Sequence, residues 1–386
     1  MRTLHPAAGR GQSPLRAMIP NAIFFRAVTE LAAAEDQTPA LLAANQLRYG
    51  VGASGTFHGY EGVGYGQFWP LRGNINGSTP SLFVVPGWTP TQKVLWVNSE
   101  GKAHPKGASA NLQSYIEEVP IPEVAGVPSG RLTAEAGTDQ EIAIWQPSTG
   151  KYWEFWRWGV ISPPEGYAAT CQYAGYIANT RTWNGILPNK WGARATSLAL
   201  TGGLIALQDL VEVLEGGKIK HALGVSLDAI AEEIIAPATR HDLVVSTNTV
   251  KEEGGKANPA YGTVDAVAES RWFRFPPTSK PSEFGLSKML EVAVFEAVRE
   301  YGLFVDDGGA IRFSIESPVS MGSQYAFAKV NPLAGATGSG WTSFSFIPAG
   351  MANPLLGNFE ESISGSSSCF TKQPWRELEA LEPRTS

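Results

Sequence analysis

Residues 142–159 read IAIWQPSTGKYWEFWRWG, with Trp145, Trp153, Trp156 and Trp158 close together and Glu154 set among them. Two runs rich in β-branched and aromatic residues flank Pro-Ser-Thr-Gly, a combination that predicts a hairpin with strands at 141–146 and 152–158. Side chains alternate along a strand, so the hairpin sorts by parity. Trp153, Phe155 and Arg157 share one side of the second strand; Tyr152, Glu154, Trp156 and Trp158 share the other. In the first strand Ile142, Ile144 and Gln146 oppose Glu141, Ala143 and Trp145. One face is expected to be core, because aromatic side chains dominate the buried area of β structures. The other combines rings with a carboxylate. Flat rings stack on the C–H face of a pyranose and acids bind its hydroxyls, so Tyr152, Glu154, Trp156 and Trp158, with Gln146, form a candidate glycan surface. A buried Glu154 needs a partner, and Arg157 is a cation that could make it structural.

The composition around this hairpin agrees with a sheet protein. Of 386 residues 43% are hydrophobic and 17% charged, with 42 Gly and 27 Pro, a balance that favours many turns over long helices. The length favours two domains, or one large β domain with extensions. The fold class read from this is mainly β: a β-sandwich of jelly-roll or lectin-like type over residues 80–320, with a few packed helices. Residues 1–79 are read as an N-terminal arm with a helical and Gly-aromatic extension suited to attachment. Residues 321–386 are a Gly/Ser-rich C-terminal extension that docks on the main domain or a neighbouring subunit.

Within 1–79, Ile23, Ala27 and Leu31, then Leu41, Leu42 and Leu47, suit two short helices, and GVGASGTFHGYEGVGYGQFWP at 50–70 suits a partner-facing loop. Residues 80–98 suggest two short strands around a Pro-Gly turn. ALQDLVEVLEGG predicts a helix and KIKHALGVSL a strand. In LSKMLEVAVFEAVREYG, Leu286, Met289, Leu290, Ala293, Ala297, Val298 and Tyr301 share a 3.6-residue stripe, with Gly302 as C-terminal cap. The following LFVDDGGAIRFSIES carries the alternation and Asp-Gly-Gly turn of a further hairpin.

Several function classes lose support at once. A net charge of -6 and the lack of a Lys/Arg cluster argue against nucleic acid as a partner. No apolar run is long enough to span a bilayer. The start of the chain lacks the apolar h-region of a secretory signal, so an unexported protein is expected. His5, His58, His104, His221 and His241 lack paired-ligand spacing, and Cys171 and Cys369 are too few for a zinc site or disulfide framework. Neither metal nor cofactor is expected. No nucleophile elbow, phosphate loop or dinucleotide fingerprint is present. A glycan hydrolase would need two carboxylates about 5–9.5 Å apart; the candidates are Glu154, Asp139 and Glu141, with Glu316 further on. A lyase would use a base such as His221.

DQEIAIWQPSTGKYWEFWRWG, then KWGARATSLALTGGLI and GKIKHALGVSL, resemble segments shared by a family of actinobacterial proteins and their phages, in which phage members are minor tail proteins. RWFRFPP and AVREYGLFVDD extend the resemblance over roughly residues 139–316. The shared positions are Asp139, Trp145, Gln146, Trp153, Glu154, Trp156, Arg194, Thr196, His221 and Arg240, and they add Arg194 to the glycan-binding candidates. Family members often carry His where this chain has Glu141. The resemblance implies a mycobacteriophage-like minor tail protein, located in the virion tail and assembled in the host cytoplasm. Its expected partners are other tail proteins, host cell-envelope polysaccharide and further copies of itself, for which a trimer suits a tail appendage. Glycan recognition at the tail tip, a glycan hydrolase or lyase, and a purely structural virion component are the three readings.

Overall fold

The computed structural model describes residues 14–34, 72–74, 80–104, 108–121, 139–159, 161–206, 209, 212–213, 216–227, 233–241, 267–287, 289–308, 312–314 and 378–384. Its strands, in chain order, are β1 (Arg72–Asn74), β2 (Ser81–Val84), β3 (Thr91–Gln92), β4 (Val94–Trp96), β5 (Val119–Pro120), β6 (Ile142–Gln146), β7 (Lys151–Trp156), β8 (Ala169–Cys171), β9 (Tyr173–Ile177), β10 (Leu223–Leu227), β11 (Trp272–Arg274), β12 (Leu303–Gly308), β13 (Arg312–Ser314) and β14 (Glu379–Ala380). The protein is mostly sheet, built as several small sheets with few helices. No described helix is long and apolar enough to cross a membrane.

The chain divides into two compact units. The first comprises Met1–Ile23, Asn74–Asp209 and Ser314–Asn353; the second comprises Phe24–Gly73, Leu210–Phe313 and Pro354–Ser386. The 80–320 stretch expected as one domain is therefore shared between both, with the change at Asp209.

Unit one is organised by the aromatic hairpin. β6 and β7 pair antiparallel from Ile142↔Phe155 to Gln146↔Lys151, matching the expected strands within a residue or two. β2 adds parallel to β6 and β9 antiparallel to β7, giving the order β2-β6-β7-β9. Two short ladders, β3 with β5 and β4 with β8, complete the described strands of this unit. The 80–98 stretch, expected as two strands around the Pro-Gly turn, forms three, β2, β3 and β4. Each pairs with a different partner: β2 with β6, β3 with β5 and β4 with β8. All of β6 is buried, as are Tyr152, Trp153, Glu154 and Phe155 of β7, so both faces of the hairpin are covered.

Unit two holds a six-stranded mixed sheet of order β1-β13-β10-β12-β11-β14. The Met289–Glu300 helix packs against β11 and buries Leu290, Glu291, Ala293, Val294, Phe295, Ala297 and Val298; Leu290, Ala293, Ala297 and Val298 lie on the stripe its spacing predicts, and the buried face is wider by Glu291, Val294 and Phe295. Gly302 ends it at φ +94°, a left-handed conformation, and its N–H donates to Ala297 O and Val298 O. A Cβ there would lie 3.0 Å from the Trp272 ring. The hairpin expected at LFVDDGGAIRFSIES does not form: β10 lies between β12 and β13, parallel to the first and antiparallel to the second. Phe24, Trp272 and Phe304 stack in this core, and the Arg384 guanidinium lies 4.3 Å from the Trp272 ring centre.

Near the start, Pro14–Met18 is helical and Ile23–Phe25 is one 3-10 turn, where a longer helix was expected from Asn21. The backbone here bonds to distant partners instead, with Val28 N–H donating to Glu300 O and Ala34 N–H to Ala380 O. The Gly-aromatic segment at 50–70, the second expected helix of the first domain, Glu316 and Cys369 lie outside the described residues. So do most of ALQDLVEVLEGG and most of the Gly/Ser-rich C-terminal segment. Cys171 is a free, buried thiol.

Candidate functional site

Glu154 stands at the middle of β7, directly opposite Ala143 on one neighbour and Gly175 on the other. Both partners are small, which leaves room for a segment to close over the carboxylate. That segment is 192–200. Ala193 N–H donates to Glu154 Oε1 at 2.7 Å, Leu200 N–H donates to Oε2 at 2.8 Å, and the Tyr152 hydroxyl donates to Oε2 at 2.8 Å. Glu154 is fully buried.

Two glycines permit the approach. A Cβ on Gly175 would lie 2.5 Å from Leu187 Cδ2 and 3.1 Å from Glu154 Cγ. One on Gly192 would lie 2.9 Å from Leu187 Cδ1 and 3.1 Å from Glu154 Oε1, and Gly192 has φ +125°. Within the same segment Arg194, 1% exposed, pairs with the equally buried Glu141 at 3.3 Å.

The electrostatics follow from burial. Desolvation holds the Glu154 carboxyl above its ordinary range, and the hydrogen bonds from Leu200, Ala193 and Tyr152, with the Arg194 charge, offset that only in part. Tyr152 is pushed well up, first by burial and then by the neighbouring Glu154 charge. What the group does chemically is accept hydrogen bonds from a loop. A proton donor or nucleophile must reach its substrate within hydrogen-bond distance, and the oxygens here are already covered by protein.

Trp158 leaves the face that parity gave it: β7 ends at Trp156, Arg157 adopts φ +54°, and the buried Trp158 ring packs edge-on against Phe155 at 4.7 Å. Gln146 lies on the opposite face from Glu154, bonded to Pro86 O and Thr149 Oγ1. Arg194 is sealed with Glu141. Tyr152, Glu154, Trp158 and Arg194 thus lie inside unit one, where no sugar ring can stack on them. Trp156 alone of the expected rings is part-exposed, its Nε1 donating to Asp139 Oδ1 at 3.3 Å, with Arg157 5.3 Å from the ring centre.

Arg157 is not the partner of Glu154; the loop and Tyr152 are. His221 belongs to unit two, where it is buried, edge-on to Phe25, with Nδ1 2.8 Å from Ala222 O. Glu154 and Asp139 belong to unit one. Among the described residues no cluster of His, Cys, Asp and Glu could hold a metal. The role of residues 192–200 as a loop fastened on Glu154 was missed from sequence. The only available signal was the pair Gly175 and Gly192, which have meaning only once the strands are placed.

Fold and site together define a class: a β-rich, two-unit protein whose aromatic sheet is closed by a loop fastened on a buried carboxylate. No protein-family model matches the chain, and no curated protein or solved structure was found to be similar to it.

Proposed function

We propose that the chain is a minor tail protein of an actinobacterial phage, with unit one serving as a rigid structural module. The tail assignment is supported by the resemblance over residues 139–316. The structural reading rests on one observation: Glu154, the leading catalytic candidate, is enclosed and bonded to Ala193, Leu200 and Tyr152. The four-stranded sheet and two short ladders of unit one support a sandwich arrangement for that unit. In this reading the partners are neighbouring tail proteins and further copies of the chain, assembled in the host cytoplasm.

Mass spectrometry of purified virions with gold-labelled antibody against the chain tests the assignment. Labelling at the tail is expected, and absence from the particle overturns it. The structural reading is tested separately by incubating purified protein with host envelope polysaccharide. No release of reducing ends or unsaturated sugars is expected; release that disappears in Glu154→Gln would establish a hydrolase or lyase instead.

A further inference from the structure

In unit two a buried cation follows β14. Leu381 N–H donates to Trp272 O at 2.9 Å, and Leu381 O accepts from Arg271 Nη1 at 3.3 Å. On the opposite flank Ala34 N–H donates to Ala380 O at 2.8 Å. The backbone leading to Arg384 is thus held from both sides. Arg384 is only 9% exposed, and its guanidinium lies 4.3 Å from the centre of the Trp272 ring. That ring is fixed in turn by stacking with Phe304 at 4.8 Å.

A buried guanidinium ordinarily meets a carboxylate, because an enclosed charge is costly unless it is paired. The acids of this neighbourhood serve other arginines. Glu379 bonds to Arg274 at 3.0 Å, and the charges of Glu233 and Glu382 act on Arg271. The charge that acts on Arg384 is a second cation, the exposed Arg26; burial first, and then this like charge, lower the Arg384 guanidinium to about 10. Stacking on Trp272 attracts the guanidinium through the ring face but uses none of its N–H groups. Among the described residues, neither Arg384 Nη1 nor Trp272 Nε1 finds an acceptor, although both atoms are buried. Two contacting side chains therefore hold buried donors where an acceptor is needed, in a field made positive by two arginines.

Charge and shape select the ligand. A guanidinium presents paired N–H groups that match two oxygens of one oxyanion. A carboxylate balances one arginine, whereas a phosphate or phosphate monoester carries about two negative charges at neutral pH and balances both. We infer that Arg384, Trp272 and Arg26 form a phosphate-binding site in unit two. The inference rests on unit two alone and does not depend on the tail assignment.

The experiment is calorimetric titration of the full chain, in phosphate-free buffer at constant ionic strength, with sodium phosphate, glycerol 3-phosphate and sodium acetate. Saturation by phosphate is expected, with a rise in melting temperature as the ligand is added. Saturation by glycerol 3-phosphate as well supports a phosphate ester as the ligand, and saturation by inorganic phosphate alone supports the free ion. Arg384→Gln is expected to abolish the binding. Arg26→Gln, at an exposed position where the fold is kept, is expected to weaken it by at least about tenfold. No saturation by either phosphate overturns the inference, as does undiminished affinity in Arg26→Gln. Acetate binding as tightly as phosphate also overturns it, and assigns the site to a carboxylate.

Discussion

At the residue scale, Glu154 works as a fastener, and its replacement has a calculable effect. In Glu154→Gln an amide N–H₂ must face at least one of the donors that the carboxylate now accepts, from Ala193, Leu200 or Tyr152. Leaving buried donors opposed costs about 1–3 kcal/mol, and urea denaturation of the variant should show that loss. The pH dependence has a definite sign. Burial raises the folded carboxyl above its ordinary value of 4.5, so between 4.5 and the folded value the native chain holds a proton that the unfolded chain releases. Glu154's contribution to stability therefore falls as pH rises through that window and is flat above it. Glu154→Gln lacks this slope, and parallel stability curves for the two proteins would refute the raised pKa. Gly192→Ala places a methyl against Leu187 and Glu154 at φ +125°. Strain and overpacking together should lower unfolding free energy by about 2–4 kcal/mol in the same denaturation experiment. The sequence made Glu154 conspicuous as a hard residue to bury alone. Besides the Tyr152 hydroxyl on the same strand, its partners are backbone N–H groups 39 and 46 residues downstream, which spacing does not encode. Arg157 misled for a related reason, since a single left-handed residue ended the alternation and sent Trp158 to the other face.

Among elements, those fixed by local chemistry were legible. The β6–β7 hairpin follows from its turn and aromatic runs, and the Met289–Glu300 helix from its stripe and Gly302. The Asp-Gly-Gly signal at the end of β12 pointed to a hairpin, yet long-range pairing prevailed and β10 took the place between β12 and β13. Hydrogen exchange should report this arrangement directly. Amides of Val225 and its neighbours in β10, flanked on both sides, should exchange among the slowest in unit two, and the edge strands β1 and β14 markedly faster. Slow exchange confined to β12 and β13, with β10 unprotected, would contradict the strand order.

For the whole molecule, the division into two units is the feature that sequence least disclosed. Unit two gathers Phe24–Gly73, Leu210–Phe313 and Pro354–Ser386, and no composition shift marks the change at Asp209. Each unit has its own buried apolar residues, so calorimetry should resolve two transitions. Glu154→Gln should lower one and leave the other in place; a single transition moved as a whole would show that the units unfold together.

Cys171 gives unit one a clock of its own. The thiol is fully enclosed in β8, paired through the Trp96↔Cys171 register to β4, and burial pushes its ionisation far above the ordinary thiol range. A maleimide can attack it only in molecules that have opened this ladder. In a Cys369→Ser background, the labelling rate in native buffer thus times the opening of the β4–β8 ladder within unit one, and Gly192→Ala should make that clock run faster.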